Sequence, residues 1–170
     1  MHLEQSFQER EVRDSKCLVY YRRKIERFSG FFVKYRIFAI VMDLDKVKYW
    51  TELSDYDLDT ADAMFRTGRW LYVGYMCHQV LEKIFKAYWS SRKEEPAPYS
   101  HNLINLAQSC GLGQLLDDGQ KAFVSQMMPL NIEALYPSYK QAIGESLSAE
   151  KCQEILSKTK EVQQWVKEML

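Results

Sequence analysis

GYMCHQVLEKIFKAYW, residues 74–89, sets a cysteine, a histidine, a glutamine and a glutamate among large apolar side chains. Its apolar positions extend in both directions at three- and four-residue steps: Trp70, Val73, Gly74, Cys77, Leu81, Ile84, Phe85 and Tyr88. That spacing is the helical period, and it predicts a helix from about Arg69 to Arg92 with one core-facing stripe. Pro96 and Pro98 follow in KEEPAP, where the missing amide and the fixed φ forbid continuation.

Upstream, Val47, Trp50, Ser54, Ala61, Met64 and Phe65 give the same period over Asp45–Thr67, and Gly68 stops it. Downstream, Ser100 is placed to cap a short third helix that Gly111 ends. A fourth helix is predicted from Asp117 and Asp118, whose charges suit a helix N-terminus, to Tyr136 before Pro137, kinked at Pro129. Ser148 caps a last one with the stripe Cys152, Ile155, Leu156, Thr159, Val162, Val166 and Met169. No strand alternation follows residue 42. The expected fold is all-α: an antiparallel up-and-down helical bundle of four long helices plus one short helix.

Residues 1–41 read differently. They are basic and aromatic, lack a clean period, and precede a second methionine at Met42, so two expectations stand side by side: an N-terminal extension of poorly defined structure before a bundle at 42–170, or an extra amphipathic helix that packs on the bundle or on a partner. The extension carries nine Lys or Arg against five Asp or Glu, net +4, which leaves the body at −4. A mildly acidic body argues against a broad DNA or phosphate-backbone surface. A 46% hydrophobic content excludes a disordered chain. FSGFFVKYRIFAIV holds Lys34 and Arg36 and is too short for the roughly 20 apolar residues of a membrane span, so no membrane anchor is expected. Cys17, Cys77, Cys110 and Cys152 form no CxxC pair, and the expectation is reduced thiols in the cytoplasm.

For chemistry, Cys77 and His78 point in different directions on a helix, and no His or Cys recurs at metal-ligand spacing. No metal or cofactor is expected. Cys77 reads as a small buried hydrophobe and His78 as a core-edge histidine with one nitrogen bonded. Asp57 falls within about 20° of the stripe centre of the first helix, where a carboxylate needs a partner such as Lys83, Lys86 or the Tyr136 hydroxyl. His101 stands at the start of the third helix, where the dipole disfavours the imidazolium. LNIEALYPSYK, residues 130–140, gathers Asn131, Glu133 and Tyr136 around a proline break.

Asp57 and Leu58, then CHQVLEKIFKA at 77–87, PAPYSHNLINL at 96–106 and LNIEALYPSYK, in order along the chain, resemble the HEPN domain (higher eukaryotes and prokaryotes nucleotide-binding) over about residues 44–170. That resemblance implies an up-and-down bundle that forms homodimers and is commonly paired with a small nucleotidyltransferase in a toxin–antitoxin-like or nucleotide-binding system. Ribonuclease members carry an arginine followed after four to six residues by a histidine, where the histidine moves a proton and the arginine stabilises phosphate charge. Here Leu71, Tyr72 and Val73 precede His78 at those positions, and Glu94, Glu95 and Pro96 precede His101. Leu135 also stands where the subgroup pattern Glu-Ala-Arg-Tyr-Pro would have its arginine. The resemblance therefore implies the subgroup without the motif: a noncatalytic module binding a nucleotide or a nucleotidyltransferase partner, with Asp57, Gln79, Glu82, Lys83, Asn131 and Tyr136 as ligand candidates. The alternative is a ribonuclease with an atypical site of His101, Lys83 and Glu133.

Overall fold

The protein's structure, a computed structural model, describes residues 31–131 and 146–170, with side chains from residue 44 onward. Contacts divide the chain into two units, Met1–Met42 and Asp43–Leu170. The helices are α1 (Phe31–Arg66), α2 (Trp70–Arg92), α3 (Leu103–Ser109), α4 (Asp118–Met127) and α5 (Ala149–Lys167), with 3-10 turns at Leu112–Gln114 and Met128–Leu130. The described residues hold no strand, and the fold is an all-α bundle.

Each boundary has a local cause. Gly68, at φ +69°, ends α1 in the left-handed conformation a glycine adopts without penalty. Its amide donates to the Phe65 carbonyl at 3.0 Å and the Arg69 amide to that of Met64 at 2.9 Å, the paired bonds of a Schellman stop. Ser148 caps α5 as expected, accepting from the Lys151 amide at 3.2 Å. Asp117 caps α4 in a reciprocal box with Gln120.

Three expected boundaries are corrected. The helix foreseen from Asp45 spans Phe31–Arg66, so the part of the extension from residue 31 is helical despite its irregular apolar pattern. The cap of α3 is Asn102, whose side chain accepts from the Asn105 amide at 2.9 Å; Ser100 instead accepts from the Asn102 amide at 3.1 Å. Pro129 does not kink α4 but lies in the 3-10 turn that follows it, because its ring and missing amide end the regular ladder. The expected extension to Tyr136 lies outside the described residues.

In the unit Asp43–Leu170 the contacts fix an up-and-down order. Phe65 meets Trp70 at 5.4 Å between rings, and Ser54 Oγ donates to the Val80 carbonyl at 3.0 Å, so α1 and α2 run antiparallel. The Met127 carbonyl meets His78, and Leu130 lies against Gly74, which makes α4 antiparallel to α2. Lys158 lies over Phe123, whereas Trp165 and Asp117 share a cleft, which makes α5 antiparallel to α4. Gln163 Nε2 ties α5 to α1 by donating to Ser54 Oγ at 2.8 Å and Asp55 Oδ1 at 3.1 Å.

The core includes Leu81, Ile84, Phe85, Leu106, Met127 and Ile155, all fully or almost fully buried. Each contributes about 1.5–3 kcal/mol relative to an exposed side chain. One feature of α2 departs from the one-sided stripe read in the sequence. Between Val73 and Ser90 only Tyr75, Met76, Lys83 and Trp89 escape burial, because the other helices surround α2. Its polar residues are therefore enclosed as well, where a group left without a partner inside the protein costs stability.

Candidate functional site

Tyr75, Gln79, Glu82, Lys83 and Lys86 lie within about 100° of one another around α2, since residues three and four apart share a helix face. Glu82 is the centre. Its side chain is only 1% exposed, yet three cationic or potentially cationic groups meet it. Lys86 Nζ donates to Oε1 at 2.7 Å, Lys83 Nζ stands 3.5 Å from the same oxygen, and His101 Nδ1 lies 2.8 Å from Oε2. Lys83 Nζ also donates to Gln79 Oε1 at 2.7 Å. The Lys86 ammonium lies 5.1 Å from the centroid of the Trp50 ring of α1, close enough for a cation–π contact.

The electrostatics follow from burial set against these partners. Burial alone would push the Glu82 carboxyl up. The hydrogen bonds from Lys86 and His101, with the charges of Lys83 and Lys86, hold it below the usual carboxylate range. Asp57, half-buried on α1, goes the other way. Burial raises its carboxyl, Lys83 lowers it and Glu82 adds to the rise. Burial, Asp57 and Glu82 together raise the Tyr75 hydroxyl. The two carboxylates thus share one field but hold protons differently.

His101 is held at two points by α2. Its side chain meets Glu82, and its backbone carbonyl lies 3.1 Å from His78 Nε2. His78 Nδ1 lies 2.9 Å from the Met127 carbonyl. The expectation of a core-edge His78 with one bonded nitrogen is corrected: the residue is fully buried, and both nitrogens face carbonyl oxygens. Burial lowers its pKa against the pull of the two carbonyls and Glu82, and a neutral ring donates to one carbonyl only. His78 therefore joins α2, the end of α4 and the segment before α3. The His101 imidazole is 59% exposed although Glu82 holds its Nδ1.

The structure brings Asp57, Gln79, Glu82, Lys83 and His101 into one neighbourhood. Asn131 closes the 3-10 turn after α4, and Glu133 and Tyr136 lie outside the described residues. Sequence reasoning missed Tyr75 and the role of Lys86 as the nearest partner of Glu82. The four-residue step from Glu82 to Lys86 was the available signal. Glu82, expected as a ligand contact, is 1% exposed and meets His101 and Lys83 at its two oxygens. Cys77 is scaffold: burial pushes its thiol up to about 12, and that of Cys152 to about 11. Among the described residues no group of three or more His, Cys, Asp or Glu could hold a metal ion, and no helix is long and apolar enough to cross a membrane.

The strand-free antiparallel helical bundle of the described residues gives the class of this molecule, an all-α bundle domain. Within that class, the chain belongs to the HEPN domain family, whose pattern its sequence matches over residues 47–169. Its fold is similar to that of TT1696 from Thermus thermophilus, known from a crystal structure, with a TM-score of 0.64 and 15% identity over 74% of this chain and 98% of that one. No curated protein matches in sequence.

Proposed function

We propose that this HEPN domain is a noncatalytic module that binds a nucleotide on the face formed by Asp57, Tyr75, Gln79, Lys83 and His101. The observation that carries this reading is the convergence of Lys83, Lys86 and His101 on Glu82. The buried carboxylate, with its single negative charge, is bonded most closely to Lys86 and offsets one of the two ammonium charges, which weakens the pair as stabilisers of the charge that builds on phosphorus during cleavage. What the face still offers is hydrogen bonding: the exposed side of the His101 ring, the partly exposed Lys83 and the half-buried Asp57 carboxylate. Family membership supports a homodimer and a nucleotidyltransferase partner in a toxin–antitoxin-like pair. Free thiols at Cys77, Cys110 and Cys152 suit the cytoplasm.

Calorimetric titration of the four ribonucleoside triphosphates, taken one at a time, tests this reading. At least one is expected to give saturable heat, weakened roughly fivefold or more by Lys83→Ala, as suits loss of one charged contact. No heat from any of them would overturn it.

A second reading is a ribonuclease with His101 as proton acceptor beside Lys83, with Glu133 as a further candidate group. The observation in its favour is the 2.8 Å contact between Glu82 and Nδ1 of a largely exposed His101 ring, a carboxylate orienting an imidazole. Metal-free RNA cleavage by the wild type that His101→Ala abolishes in a folded protein would replace the first reading with this one.

A further inference from the structure

A second concave region lies away from the Glu82 cluster. The start of α4 and the second half of α5 enclose a cleft of about 440 Å³, within the volume range of small-ligand pockets. Its apolar walls are Phe123, Val162 and Trp165, and Asp117, Lys158 and Glu161 stand among them. No residue of the Glu82 cluster lines it.

The cleft already holds one cation of its own. Lys158 Nζ lies 6.0 Å from the centroid of the Phe123 ring while bonded to Glu154 Oε1 at 2.8 Å. Glu154 is shared with Lys151 at 2.9 Å, and the bonds from these two lysines hold its carboxyl down to about 2, so Lys158 sits beside a fixed negative charge. Trp165, partly buried against the core, has no cation over its ring among the described residues. The carboxylates of Asp117 and Glu161 are both on exposed residues. The N-terminal dipole of α4 opposes them with roughly half a positive charge, less than the two carboxylates carry. Counting Asp117, Glu161 and Glu154 against Lys158, Lys151 and the dipole, the cleft keeps a small negative balance of about half a charge, in keeping with the net −4 of residues 42–170.

We propose that this cleft receives an arginine side chain of a partner polypeptide, its guanidinium stacked on the Trp165 indole and hydrogen-bonded to Glu161 and Asp117. Arginine is favoured over lysine because a flat, weakly hydrated guanidinium stacks on an aromatic face and donates to two carboxylates at once, whereas an ammonium is a compact, strongly hydrated point charge. The aromatic wall suits that flat group, the cleft volume leaves room for neighbouring residues of the same polypeptide, and the negative rim selects its sign.

Nuclear magnetic resonance of the indole N–H signals of the full chain tests this, with the acetylated, amidated peptide Gly-Arg-Gly as probe and the Gly-Lys-Gly and Gly-Glu-Gly analogues as controls. Trp165→Phe assigns the signal, and Trp50, Trp70 and Trp89 report whether the fold is unchanged. The Trp165 signal is expected to shift saturably with the arginine peptide, to respond at least about threefold more weakly to the lysine peptide, and not to respond to the glutamate peptide. Glu161→Gln should weaken the arginine response roughly fivefold with the other three indoles unmoved. No shift at about 10 mM peptide, equal responses to arginine and lysine, a response to the glutamate peptide, or indifference to Glu161→Gln would each overturn the proposal.

Discussion

Glu82 shows how a single buried charge is made tolerable. Its carboxylate satisfies Lys86, whose side chain is 7% exposed, so removing the charge strands an ammonium in the interior. Glu82→Gln keeps the shape and loses the charge, and it should cost about 3–5 kcal/mol in denaturant unfolding at neutral pH. The pH dependence has a definite sign. The folded carboxyl lies below its usual range, so the contribution of Glu82 is fully present above its unfolded value of about 4.3 and is lost as pH falls through the folded value. The stability gap between wild type and Glu82→Gln should therefore be constant from neutrality to mildly acidic pH and close below it. A gap that stayed constant to pH ~2 would show that the charge is not the cause.

Ser90 is the opposite case. It is buried at the end of α2, and its hydroxyl has no hydrogen-bond partner among the described residues. Ser90→Ala removes an unsatisfied polar group from the interior and should stabilise the protein by about 1 kcal/mol, read as a rise in the urea midpoint at unchanged slope. A loss of stability would mean that the hydroxyl has a partner.

At the scale of the elements, α2 depends on close approach as much as on apolar area. A Cβ placed on Gly74 would lie 3.2 Å from Leu130 Cδ1 and 3.5 Å from Leu147 Cδ1. In Gly74→Ala the end of the Leu130 side chain yields by a few tenths of an ångström, and the helix gains about 1 kcal/mol of propensity, so thermal unfolding should be nearly unchanged. Gly74→Val adds two more methyl groups and should cost about 1–3 kcal/mol. If valine were tolerated as well as alanine, the packing of the second 3-10 turn against α2 would have to be looser than it is here.

The same helices show what the sequence could and could not disclose. The stripes of α2 and α5 were legible because an apolar side chain every third or fourth position leaves only one way to face a core. Residues 42–170 offered Ser100 and Asn102 two positions apart, both of capping type, and nothing local decided between them. In the structure both accept a backbone amide, and only Asn102 caps the helix. The i, i+4 pairs Gln79–Lys83 and Glu82–Lys86 were readable from spacing alone. The arrival of His101 at Glu82, 19 residues on, was not. It depends on the path of the segment before α3, which His78 fixes through a backbone carbonyl, and backbone carbonyls leave no mark on a sequence pattern.

For the whole molecule, the question is what the unit Asp43–Leu170 needs in order to fold. Among the described residues, its polar ties between helices include those of Ser54, Asp55 and Gln163 and the ion pairs Asp62–Lys160 and Asp55–Lys167. A chain starting at Met42 is expected to keep its helical circular dichroism and a melting temperature within about 2 °C of the full chain, the scale of a sub-kcal/mol change at this size. A fall of more than about 8 °C, or aggregation of the shortened chain, would assign residues 1–41 a share in the folded unit.

The enclosure of α2 also determines how the molecule opens. Amide hydrogens on a surface helix exchange with solvent through local fraying, but those between Val73 and Ser90 are covered by neighbouring helices and become accessible only when the bundle comes apart. Their exchange in heavy water should therefore be the slowest in the chain and should report the global unfolding free energy. Tyr75 and Lys83, which escape burial, stand on that same helix, so a ligand held by them would bind only the closed bundle. Each tenfold rise in free ligand above its dissociation constant would then slow exchange along the whole of α2 by about tenfold, so occupancy of a face at one edge would be registered at residues the ligand never touches.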